Sequence, residues 1–278
     1  MLYLILAIAS SALVSIFIRL SENYVKNNIS MLCMNYMMCL MLAVGYTGMD
    51  KVFETGEGFG TAIGLGVVNG ILFLASFVLL QINVRRNGVV LSATFMKLGV
   101  LVPTLLSVIA FREKPEVQQV IGFLVALLAI VLINFEKGQG EAGFKIGLIL
   151  LLLGGGSGDA MAKIYDEVGA AQFEEQFLCF TFASALILCV LLAIKKQQKL
   201  TKTDILFGLL VGIPNYFSAR FLLKAVGEVL AVVAYPTYSV ATIVVISLVG
   251  MLCFKEKITK RQQVAIGIIL VALVLLNI

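Results

Sequence analysis

Ten apolar runs, each long enough to carry a helix across a bilayer, leave little of this chain for anything else. They fall near 2–20, 31–49, 61–82, 88–111, 117–135, 144–166, 174–194, 204–224, 229–254 and 263–278. The loops between them are short and leave no room for a soluble domain. The first run lacks a basic start and an obvious cleavage site, so it reads as a span and not as a signal peptide. Composition points the same way. The chain is 60% hydrophobic and 13% charged, whereas a soluble domain is typically about 45–50% apolar and about 25% charged. That much apolar surface has no soluble core to hide in, which excludes an ordinary cytosolic enzyme. The expected fold class is an all-α integral membrane protein with ten transmembrane helices.

The two halves of the sequence repeat. Residues 111–134 read FREKPEVQQVIGFLVALLAIVLIN and 254–277 read FKEKITKRQQVAIGIILVALVLLN, so Phe111/Phe254, Glu113/Glu256, Lys114/Lys257, Gln119/Gln262 and Asn134/Asn277 coincide at an offset of 143. Phe73, Ala75 and Phe77 map onto Phe217, Ala219 and Phe221, and Arg19 onto Lys163, at 144; Cys33 meets Cys179 at 146. The expected organisation is a first five-helix repeat over 1–140 and a second over 141–278. Five spans is an odd number, so the second repeat enters the membrane from the opposite side. Inverted repeats of this kind are a common design of secondary transporters and give two near-equivalent arrangements for alternating access.

The loop-to-helix signature FxEK-x4-Q, at Phe111–Gln119 and again at Phe254–Gln262, resembles that of the drug/metabolite transporter superfamily, in its ten-span EamA-like branch. The resemblance extends over essentially the whole chain. The family pattern often has Gly three residues after the Gln; Gly122 fits, whereas the second half has Ala265 with Gly267 two residues on. The resemblance implies a substrate cavity lined by spans 1, 3, 4, 6, 8 and 9, with spans 5 and 10 packed peripherally. It says little about the substrate.

Loop charge sets orientation. Loops after odd-numbered spans hold Lys26, Arg85, Arg86, Lys137, Lys145, Lys195, Lys196, Lys199, Lys202, Lys255, Lys257, Lys260 and Arg261, against Lys51, Arg112, Lys114 and Lys224 on the other side. The positive-inside rule then puts both termini outside, although many EamA-like relatives resemble a termini-inside arrangement. The expected location is a bacterial plasma membrane. A net charge of +5, spread over these loops, speaks for orientation and not for nucleic-acid binding.

Ionisable groups well inside spans are costly and mark cavities or ion pairs. Lys97 lies mid-way along the fourth span, Asp159 about two-thirds along the sixth and Arg220 about four-fifths along the eighth. They read as a charged substrate or coupling site. The competing reading is a structural ion pair of Asp159 with Lys97 or Arg220, or an Arg220 that snorkels to the headgroups. Arg19 and Lys163, at equivalent span ends, read as interfacial anchors. The run Gly154-Gly155-Gly156-Ser157-Gly158 beside Asp159 reads either as close helix packing or as a broken segment whose freed backbone groups meet substrate. Asn69 and Ser76 share a face with Asn83 in span 3; Asn69 is the cavity candidate and Asn83 is expected to be solvated. Thr94 and Thr104 share the face of Lys97, and Pro103 is expected to kink that span. Asn215, Tyr216 and Pro214 in span 8, and Tyr235, Tyr238, Ser239 and Thr242 around Pro236 in span 9, complete the polar set. Pro214 aligns with Gly70, which suggests two helices interrupted at one level. Glu113 and Glu256 are expected to cap helix ends or pair with neighbouring Lys.

No catalytic grouping emerges. The chain has no His, its five Cys (33, 39, 179, 189 and 253) sit in apolar stretches without CxxC spacing and read as buried hydrophobes, and no GxxxxGK[ST] motif is present. Neither cofactor nor metal is expected. The substrate-binding residues expected from sequence are Lys97, Asp159, Arg220, Tyr216, Tyr235, Tyr238, Asn69, Ser76, Thr94, Ser157 and Asn215. The leading expectation is a non-enzymatic secondary transporter of a small polar metabolite, an amino-acid-like zwitterion or a carboxylate. Lys97 and Arg220 would hold the anionic group and Asp159 an ammonium or a coupling proton. Its partners would be that solute, membrane lipids and a proton or other coupling cation. The alternatives are a proton-coupled exporter of organic cations, a flippase of a lipid-linked headgroup, and a membrane scaffold or lipid-modifying enzyme. Four-span relatives resembling this family use a carboxylate in their first helix, and here that span has no acid before Glu22.

Overall fold

The computed structural model of the chain describes residues 1–22, 24–25, 27–87, 89–134, 145–254 and 259–278. Among the described residues eleven α-helices follow one another: α1 (Leu2–Ser21), α2 (Asn28–Thr47), α3 (Phe59–Asn87), α4 (Val89–Leu98), α5 (Leu101–Ile109), α6 (Val117–Asn134), α7 (Lys145–Val168), α8 (Glu174–Lys195), α9 (Lys202–Glu228), α10 (Ala231–Phe254) and α11 (Lys260–Asn277). Among the described residues, nine helical stretches are long and apolar enough to cross a membrane, and Val117–Leu132 is a shorter apolar helix. Glu256, Lys26, Lys137, Lys255 and Lys257, and the 140/141 repeat boundary, lie outside the described residues.

The fourth apolar run is two helices. Pro103 has no N–H, and its ring clashes with the carbonyl one turn earlier. The chain responds at Gly99 and Val100, whose N–H groups bond back to Met96 O (3.1 Å) and Lys97 O (3.4 Å) in tight three-residue steps. Pro103 then sits in the first turn of α5, where an absent N–H leaves nothing unsatisfied. The kink expected from Pro103 is therefore a break, and Lys97 lies in the last turn of the first half-helix. The other expected interruptions do not occur. The Gly154–Gly158 run lies within continuous α7, Pro214 within continuous α9, and Gly70 within continuous α3.

The chain divides into two compact units. One comprises Ala75–Lys163 and Val226–Ile278 with Met1; the other comprises Leu2–Leu74 and Ile164–Ala225. Each unit thus draws on both halves of the sequence.

In the first unit α6 lies along α11. A methyl group on Gly122 would come within 3.0 Å of Leu275 Cβ and of the Leu276 backbone N, so the glycine sets how closely the helices approach. The repeated glutamine has a local role in both halves. Gln119 Oε1 accepts the Glu116 N–H (3.0 Å) and Gln262 Oε1 accepts the Thr259 N–H (2.9 Å), each satisfying an orphan donor at the start of α6 or α11. At Thr259 the bond is reciprocal, because its Oγ1 accepts the Gln262 N–H, completing a capping box. Gln119→Ala and Gln262→Ala are each expected to lower stability by about 1 kcal/mol, read as a lower unfolding midpoint in detergent. If neither midpoint moves, capping does not account for the repeated glutamine.

In the second unit α2 packs on α8, with Cys33 Sγ and Cys189 Sγ 3.1 Å apart. Both are free thiols, as are buried Cys39 and Cys179; Cys253, expected to be buried, is exposed. Two further contacts in this unit repeat each other. Gly66 of α3 faces Phe177 O, Phe180 Cβ and Thr181 N of α8, while Gly208 of α9 faces Met31 O, Met34 Cβ and Asn35 N of α2. One turn on, Gly70 faces Thr181 O and Ser184, and Gly212 faces Asn35 O and Met38. The glycines correspond at an offset of 142, and the residues they meet correspond at 146.

Candidate functional site

The expected site residues divide between the two units. Lys97, Asp159, Tyr235, Tyr238, Ser76, Thr94 and Ser157 lie in the first, and Arg220, Tyr216, Asn69 and Asn215 in the second.

In the first unit α7 and α4 touch backbone to backbone. A methyl on Gly99 would meet Gly156 N at 2.9 Å, and one on Gly156 would collide with Gly99 O and Val102. The small residues of α7 therefore serve close packing, directly against the break in the neighbouring helix. Gly155 faces Met96, and Gly154 faces Leu79 and Ser76. Asp159 follows Gly156 by three residues and Gly155 by four, which puts it on the same helix face, toward α4. Its side chain is nevertheless exposed, and Lys97 is half-buried. The two charges are within electrostatic reach of each other but form no direct ion pair. An accessible carboxylate on this helix face and a half-buried ammonium in the last turn of α4 thus stand beside the α4–α5 break.

Tyr235 is fully buried and its hydroxyl donates to the Asp159 carbonyl (2.8 Å), tying α10 to α7 at the level of the acid. Ser76 and Thr94 are buried, whereas Ser157 and Tyr238 are half-buried. Asn83, expected to be solvated, is fully buried and bridges α3 to α7 through Gly147 O (2.9 Å).

Lys163, expected to be an interfacial anchor, is buried and pairs with Glu113 at 3.2 Å, the two side chains being 6% and 7% exposed. Glu113 also accepts the N–H groups of Ala231 (3.1 Å) and Val232 (3.4 Å). It thereby caps the first turn of α10, where backbone donors are otherwise orphaned and negative charge is favoured. The capping and Lys-pairing role expected for Glu113 is what the structure contains.

In the second unit Arg220 pairs with Glu175, not with Asp159. Arg220 Nε donates to Glu175 Oε1 at 2.7 Å, the second guanidinium nitrogen lies 2.6 Å from the same oxygen, and Tyr216 Oη donates to Oε2 at 3.0 Å. The guanidinium lies 4.3 Å from the ring centroid of Tyr46, a cation–π distance. Glu175 and Tyr46 were not singled out from sequence, because each sits at a helix end where charge and aromatic residues are commonplace. Asn215 donates to Asn35 Oδ1 (3.2 Å), and Asn69 donates to Thr181 Oγ1 (3.3 Å) while its own Oδ1 is buried without a hydrogen-bond partner. Among the described residues no group of three His, Cys, Asp or Glu is placed to hold a metal ion.

No protein-family model matches the chain. An uncharacterized protein of Haemophilus influenzae is 25% identical over 277 residues, covering 95% of this chain and 93% of that protein. A solved crystal structure is similar with a TM-score of 0.75 over 99% of this chain and 95% of that one, at 13% identity. At that identity the likeness is one of fold alone. The class these observations define is a helical protein of many apolar spans, consistent with a membrane protein.

Proposed function

We propose that the chain is a secondary transporter of the drug/metabolite transporter type, an inner-membrane protein of ten spans in two inverted repeats, which moves a small amino-acid-like zwitterion by alternating access. The observation that carries this reading is the pair Lys97 and Asp159. Two opposite charges lie beside the break between α4 and α5, close enough to interact but not in contact. Charges placed inside apolar helices are costly unless a cavity or a ligand satisfies them. A zwitterion fits between them, its carboxylate toward Lys97 and its ammonium toward Asp159. Broken helices beside small-residue packing are the usual way a transporter frees polar groups at mid-membrane. The matched contacts of Gly66 and Gly208, and of Gly70 and Gly212, support the repeat. Asp159 is also the natural proton or cation acceptor for coupling, and the loop charges favour both termini outside.

Uptake of labelled L-amino acids into proteoliposomes tests the reading. Lys97→Ala is expected to abolish saturable uptake, and Asp159→Asn to reduce it strongly, with both variants folded by circular dichroism. Undiminished uptake in Lys97→Ala would remove the carboxylate site. Transport of organic cations that needs Asp159 but not Lys97 would instead make the chain a cation exporter.

A further inference from the structure

The Glu175–Arg220 pair uses opposite charges on two helices, and its surroundings are those of a ligand site. Tyr46 is in the last turn of α2, Glu175 in the first turn of α8, and Arg220 in the C-terminal third of α9. The pair is only about four-fifths covered, with side-chain exposures of 19% and 21%, and Tyr46 is 51% exposed. Rings enclose it. Tyr46 stacks on Tyr216 (5.8 Å between centroids) and meets Phe217 edge-on (5.9 Å). Every bond that holds the guanidinium is one an outside ammonium could make: two contacts to a carboxylate oxygen and an aromatic face.

We infer that Arg220 is a tethered occupant of a second zwitterion site, in which an incoming amino acid exchanges ion pairs with it. The ligand's ammonium takes Glu175 and the Tyr46 face, and its carboxylate takes the released Arg220 guanidinium bidentately. One internal pair becomes two intermolecular ones, no charge is left unmatched, and no covalent bond changes. A simple amine that displaced Arg220 would leave the guanidinium without an anion, and a simple carboxylate would strand Glu175. Both leave a partly desolvated charge uncompensated, the situation that is most costly. The site therefore selects molecules carrying an ammonium and a carboxylate on one carbon. Glu174, Lys224 and Asp166 also act on this neighbourhood. With them the local charge is net negative, so an ammonium entering ahead of its carboxylate is drawn in.

The inference shares its substrate class with the proposed function, but its readout is separate. The chain has no Trp, so Tyr46→Trp introduces a single indole beneath the guanidinium. Titration of this variant, in detergent, with the twenty L-amino acids and with the matched amine and acid of each apolar one reads the exchange. At least one amino acid is expected to change the emission saturably, with its amine and its acid about tenfold or more weaker. Calorimetry on the native chain with the same set guards against a variant that fails to fold. There the responding amino acid is expected to lose about tenfold or more in affinity in Glu175→Gln. An emission change equal for amine and amino acid, or no response and no Glu175-dependent heat with any of the twenty, overturns the site. Loss of uptake in Lys97→Ala with a silent indole would leave the transport proposal standing and this one refuted. A responsive indole with uptake intact in Lys97→Ala would do the reverse.

Discussion

Replacing Glu113 with alanine is expected to lower the unfolding free energy by about 3–5 kcal/mol, the usual loss when one member of a buried ion pair is removed. The carboxylate serves two clients at once. It faces the Lys163 ammonium at 3.2 Å in a place where both side chains are more than nine-tenths covered. It also accepts the first two N–H groups of α10. Alanine supplies neither interaction, and water has little access to replace them. The double variant Glu113→Ala/Lys163→Met is expected to recover most of the loss, since the ammonium that faced the carboxylate is then removed with it. What persists should be the capping contribution, about 0.5–2 kcal/mol. Equilibrium unfolding in mixed detergent, followed by circular dichroism, gives all three values. A single variant within about 1 kcal/mol of the native chain, or a double variant no better than the single, would mean that the pair is not a coupled buried unit. The loss should also reach Asp159, because α10 carries Tyr235 and Tyr235 holds the Asp159 carbonyl.

Apolar length and the repeated loop made the helices legible from sequence, because both are local signals. The helix bounds follow the runs to within a few residues, and Glu113 could be read as a cap because a carboxylate flanking a helix has few other uses. Interruptions were less legible. Gly154–Gly158, Pro214 and Gly70 all looked like weak points, yet only Pro103 broke its helix. The difference is tertiary. Glycines that receive a neighbouring backbone are held by that contact, as Gly156 is against Gly99 and Gly70 against Thr181, so their low helix propensity is overridden. At Gly99 the proline four residues on removes the bond that would have carried the helix through. Ion-pair partners were the least legible. Sequence places Arg220 inside a span but does not say that the α8 start brings Glu175 to it, and Lys163 looked like an anchor because burial at a span end depends on what folds over it. Lys97 and Asp159 were identified by their cost alone, and the helix break beside Lys97 could not be read from that cost.

Gly66→Leu and Gly208→Leu are expected to be strongly damaging, and to be so by equal amounts. A methyl at Gly66 would already lie 2.8 Å from Phe177 O and Phe180 Cβ, and one at Gly208 would be 2.6 Å from Met31 O and closer still to Met34 Cβ. The obstructing atoms are largely backbone, which cannot rotate aside, so the helices would have to separate along their whole contact. Overpacking a core usually costs about 1–3 kcal/mol; with a backbone atom on each side the upper end, about 3 kcal/mol, is expected here. Gly64 lies on the same helix as Gly66 with open space around it, so Gly64→Leu should stay within about 0.5 kcal/mol of the native chain. It separates packing from any general effect of losing glycine in α3. The equality of the two large losses bears on the origin of the fold. If the two halves descend from one five-helix unit, as the proposed repeat requires, they should carry the same contact at the same strength, α3 on α8 and α9 on α2. Matched drops in the unfolding midpoint would fit duplication. A severe loss at Gly66 with a mild one at Gly208 would mean that the repeat survives in sequence but no longer in energetics, and the near-equivalent states that the proposed alternating access requires would then need another source.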